Sequence, residues 1–79
     1  MGKMFNVVKG LPDVPDKPII WIVYSDDFIQ HTRDYIARIR GQKYLDSFVT
    51  VVSRQNSSKF NGKIYFDPMI YDHLSNGQL

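Results

Sequence analysis

The chain has 79 residues, a net charge of +2 and a pI near 9.0, which is enough for one domain and too little for two. Apolar residues at 43% and aromatics at 14% exclude a disordered polar chain. The absence of cysteine excludes disulfides and thiolate metal sites.

A small secreted domain of this size usually needs covalent staples, so a reducing, cytoplasmic setting is expected. The longest apolar run, Ile19 to Tyr24, falls far short of the roughly 20 residues that span a bilayer, and no membrane association is expected. Met1 to Asn6 lacks the apolar core of a signal peptide. The mild positive charge permits an acidic partner without demanding one. A core this small leaves little stability to spare, so association with a protein partner or a second copy of the chain is a natural supplement.

Met4 to Val8 reads as a short apolar segment with strand-like composition, an edge strand or a cover. Residues 10–18 hold Pro12, Pro15 and Pro18. Each proline lacks an N–H and fixes φ, so this stretch is an extended connector.

Ile19-Ile20-Trp21-Ile22-Val23-Tyr24 is uniformly apolar and rich in β-branched residues. Such a run suits a strand covered on both faces, as in a parallel sheet. Ser25 follows as an expected N-cap, with Asp26 and Asp27 placed to complement the helix dipole. Phe28, Thr32, Tyr35, Ile36 and Ile39 then recur on one helical face, and Gly41 supplies a stop. These signals predict a helix over about 26–40.

Phe48 to Val52 reads as a second buried strand, completing a right-handed βαβ unit. Asn61-Gly62 is a hairpin signal, followed by a third strand at Lys63–Phe66. Asp67-Pro68 starts a short helix over about 68–75. The expected fold is therefore α/β: a small two-layer sandwich with a mixed sheet of three or four strands.

Three sets of residues could carry function. Asp26, Asp27 and Asp67 are carboxylates at strand ends, where Mg²⁺ would find oxygen ligands, and with it phosphate-transfer or hydrolysis chemistry. Capping and dipole effects already account for Asp26 and Asp27, so neither a metal nor a cofactor is assigned. An apolar strand ending in Asp-Asp also resembles a Walker B strand, yet no phosphate-cradling glycine loop accompanies it. His31 and His73 lack the further ligands a zinc site needs. Surface positions are their simplest reading.

The second set is Arg38, Arg40, Arg54, Lys59 and Lys63, with Tyr44, Phe60 and Tyr65 able to stack on bases. It describes a nucleic-acid-binding surface, although the net charge is below the usual basic footprint. The third set is Tyr44, Phe60, Tyr65 and Tyr71, an aromatic surplus of the kind enriched at protein interfaces. An unpaired edge strand at Met4–Val8 or Lys63–Phe66 could also accept a partner strand. With no complete catalytic set in the chain, the leading expectation is a non-enzymatic protein-interaction module, such as a regulator or inhibitor of a larger protein. Nucleic-acid binding is the second reading.

Overall fold

A computed structural model describes residues 2–70. Three parallel strands, β1 (Ile19–Val23), β2 (Val49–Ser53) and β3 (Lys63–Phe66), form one sheet in the order β2-β1-β3. Three helices, α1 (Gly2–Lys9), α2 (Ile29–Arg40) and α3 (Gln42–Phe48), contribute to its main core. The chain is thus a small α/β domain, and the sheet is parallel throughout rather than mixed.

β1 is central because it is apolar on both sides, and all five of its residues are buried. Fully burying such a side chain contributes about 1.5–3 kcal/mol relative to leaving it in water. Its pleat divides the core in two. Ile19, Trp21 and Val23 join Val8, Ile36 and Leu45 on the helix side. Ile20 and Ile22 join Val52 and Ile70 in a smaller cluster on the other. Register runs from Ile19↔Val49 to Val23↔Ser53 on one side, and from Ile19↔Lys63 to Ile22↔Phe66 on the other. Tyr24 lies just beyond β1.

The expected Met4–Val8 strand is helical. In α1 the spacing of Met4, Val7 and Val8 gathers them on one side, where Val8 is buried and Met4 and Val7 pack on the same core, joined by the buried Leu11 just beyond the helix. A strand would have split them between two faces. Residues 11–18 contain no helix or strand, as the prolines require.

The predicted helix over 26–40 is two elements. A 3-10 turn at Asp26–Phe28 precedes α2, and the Ser25 side chain makes no capping bond. The buried face is as expected, with Thr32 and Ile36 in the interior.

After α2 the chain does not go straight into a strand. Gly41, with φ 99° and ψ 148°, breaks the path, and α3 follows, taking Phe48 out of the expected strand. The φ of Gly41 is one that side-chain-bearing residues avoid, and its ψ of 148° places it outside the left-handed helical region of a usual glycine cap.

Asn61-Gly62 makes no hairpin, because β3 runs parallel to β1. Gly62 serves instead as a point of close approach: a Cβ there would lie 2.2 Å from Pro18 O and 3.1 Å from Ile20 Cγ1. The link from β2 to β3 begins with a 3-10 stretch at Arg54–Lys59 that packs on β1 and β2. Asp67 caps as predicted: the Met69 N–H donates to its Oδ1 at 2.8 Å, and the Ile70 N–H to its backbone O at 3.0 Å. Residues 69 and 70 are helical. The rest of the expected 68–75 helix lies outside the described residues.

Candidate functional site

In an open parallel sheet every strand presents its carboxyl end to the same edge. The order β2-β1-β3 makes the gap between β1 and β3 a topological switch point, because the chain moves to opposite sides of β1 in its two connections. Crevices at such points are where open α/β sheets bind ligands. A cavity of about 190 Å³ lies there. Val23 and Tyr24 approach it from the end of β1, and Asp67 and Ile70 from beyond β3. Thr32 and Tyr35 of α2 line it too, as do Phe28 before α2, Met4 of α1 and the exposed His31.

Asp67 is only 4% exposed. Its Oδ2 accepts from Trp21 Nε1 at 2.9 Å and its Oδ1 from the Met69 N–H. Because β3 is parallel, Asp67 does reach the edge where Asp26 and Asp27 lie. Those two are exposed on the 3-10 turn. Among the described residues no group of three or more His, Cys, Asp or Glu side chains could hold a metal ion. Ser53 is buried and accepts from Asn56 Nδ2 at 3.2 Å.

No family model, curated protein or solved structure matches this chain. The reading therefore rests on the placement of its own residues.

Two of the five basic candidates are occupied within the fold. Arg40 Nη1 donates to the carbonyls of Val8 (3.1 Å), Lys9 (3.0 Å) and Leu11 (2.7 Å), and its Nη2 to Asp13 at 2.8 Å. It caps the carboxyl end of α1 and ties down the connector. Arg54 Nε donates to Tyr24 O at 3.1 Å, and its guanidinium lies 4.2 Å from the centre of the Tyr24 ring. Arg38, Lys59 and Lys63 are exposed.

The aromatic candidates also separate. The Tyr44 hydroxyl donates to Pro12 O, and its ring lies beneath Arg40 and edge-on to Phe48. It holds the connector, a role the sequence reading missed. The signal was available: a tyrosine and an arginine four residues apart can share one helical side, and here they span the Gly41 break to clamp the same segment. Tyr65 is half-buried and stacks on Trp21, with ring centroids 6.1 Å apart. Phe60 stands exposed just ahead of β3. Tyr71 lies outside the described residues.

β3 forms the opposite margin of the sheet from β2, and no described strand lies beyond it. The Lys63 N–H donates to Pro18 O at 2.8 Å and the Asp67 N–H to Ile22 O at 2.9 Å. The odd-numbered backbone groups thus face β1, and those of Ile64 and Phe66 face outward. The two residues are 40% and 55% exposed. The sequence reading nominated the Lys63–Phe66 edge but neither of these residues, because an alternating strand does not disclose which of its faces lacks a cover.

Proposed function

We infer that this protein is a non-enzymatic interaction module that receives an extended segment of a partner protein along the outer edge of β3. The observation that carries the reading is the pair Ile64 and Phe66. Both offer backbone N–H and C=O groups to the outer edge and half-exposed apolar side chains to one face. An added strand would satisfy the polar groups and cover the apolar ones together. Lys59 and Lys63, both exposed near the start of β3, favour a segment that carries carboxylates.

The nucleic-acid reading has less support, since Arg40 and Arg54 are committed to carbonyl and aromatic partners inside the fold. Magnesium-dependent chemistry would need the three aspartates to act together, and among the described residues no group of three or more such side chains could hold a metal ion.

The test is a selection of random peptides on the immobilised protein, followed by amide hydrogen exchange on the winning complex. Slowed exchange at Ile64 and Phe66, with binding lost in Phe66→Lys, is the expected result. Selected peptides that leave those two amides exchanging as before would refute the reading.

A further inference from the structure

The cavity at the β1/β3 switch point has a feature that edge-strand binding does not use. Asp67 is a buried carboxylate, and both of its recorded donors, the Trp21 indole and the Met69 amide, are neutral. No cation pairs with it among the described residues. Buried charges are costly unless they are paired, so this site calls for a cation.

The walls suit one of a particular kind. Phe28 and Tyr35 line the cavity with aromatic surface, and ring faces attract organic cations. Tyr24 and Phe28 both have partners within the fold, since Arg54 lies against the Tyr24 ring and Tyr24 and Phe28 meet edge-on, so a ligand's charge falls chiefly to Asp67 and Tyr35. Thr32 is 3% exposed and lines the same cavity, and its hydroxyl has no hydrogen-bond partner among the described residues. A buried hydroxyl in that state is matched by a polar group on a ligand. The volume, about 190 Å³, admits a molecule of roughly one ring or one quaternary head, since a cavity of about 150 Å³ holds benzene.

We propose that this cavity binds a small organic ammonium ion bearing a hydroxyl, with its charge between Asp67 and the aromatic walls and its hydroxyl on Thr32. The site is separate from the β3 edge, and its ligand is held by charge and ring faces rather than by strand pairing.

The experiment is a choline titration of the full chain against matched sodium chloride, read by the emission of Trp21. That residue is the sole tryptophan, and its indole N–H is bonded to the carboxylate in question. Saturable change is expected. Binding should weaken about tenfold for the alcohol that replaces the quaternary nitrogen by carbon, and by a similar factor in Asp67→Asn. Tyr35→Leu, which keeps the bulk and removes the ring, should cost several-fold. Acetylated trimethyllysine amide, a quaternary ammonium without a hydroxyl, is the comparison in the same titration, and choline should bind the more tightly. No saturation by choline, equal or tighter binding of the trimethyllysine amide, or equal affinity for the uncharged analogue overturns the proposal. If Asp67→Asn fails to fold, the uncharged analogue and Tyr35→Leu decide alone.

Discussion

Trp21 and Asp67 stand 46 residues apart in sequence and meet in a buried hydrogen bond of 2.9 Å. The bond joins the middle of the central strand to the residue that follows β3 and caps the next turn. Asp67→Ala leaves the buried indole N–H without an acceptor and removes the cap on Met69. A loss of about 1–3 kcal/mol is expected, measured by urea unfolding. Asp67→Asn keeps one acceptor oxygen and should fall between that variant and the parent.

Arg40 and Asp13 form an ion pair whose two sides are unequal. The Arg40 side chain is 11% exposed and the Asp13 side chain 97%. Arg40→Ala abandons three carbonyls at the end of α1 and is expected to cost about 2–3 kcal/mol. Asp13→Ala removes only an exposed partner and should leave the unfolding midpoint unchanged. Limited proteolysis should cut Arg40→Ala first within residues 10–18, the segment this arginine holds. Equal effects from the two variants would mean that the ion pair, rather than the carbonyl cap, is what matters.

Tyr44 gives the fold an alkaline limit. Burial raises its phenol above the ordinary 10.0, assisted by Tyr65 and Asp13, while the Arg40 guanidinium pulls the other way. The folded state therefore holds this proton more tightly than the unfolded chain does. The associated stability is complete below about pH 10 and declines as pH rises through the raised value. Thermal unfolding followed from about pH 8 to about pH 11 should show a shallower decline in Tyr44→Phe than in the parent. The variant should start from a lower midpoint, because the bond to Pro12 is gone.

Gly62→Ala should be among the most damaging single-methyl additions in the chain. The new Cβ would meet Pro18 O at 2.2 Å, on the carbonyl that accepts from the Lys63 N–H. At least about 2 kcal/mol is expected from overpacking and the displaced ladder bond, with faster exchange at the β3 amides. A neutral Gly62→Ala would show that β3 can shift away from β1 without loss.

Much of the architecture was legible in local pattern. The apolar run at Ile19–Val23 announced a strand covered on both faces, the prolines announced the connector, and the Thr32/Ile36 stripe announced the face of α2 that meets the sheet. Asp67-Pro68 announced its own cap. The errors share one cause, since each concerned a residue whose local preference admits two tertiary settings. Met4–Val8 suits a strand by composition and a helix by spacing, and burial of Val8 against the core decided for the helix. Gly62 suits a tight turn, but close passage beside Pro18 is what requires it. Arg40 and Tyr44 looked like free surface groups until α1 and the connector folded over them.

Outside Met4–Val8 and the segment after Gly41, what the sequence determined by itself was element type, because hydrophobic period and the backbone limits of proline act over a few residues. The parallel pairing of β1 with β2 followed from the βαβ pattern, but the direction and neighbours of β3 were decided only in three dimensions. β3 lies parallel beside β1, its outer face keeps Ile64 and Phe66 in solvent, and Asp67 turns inward to Trp21. Such pairings depend on which distant surfaces are left to bury one another, and no short stretch of chain carries that information.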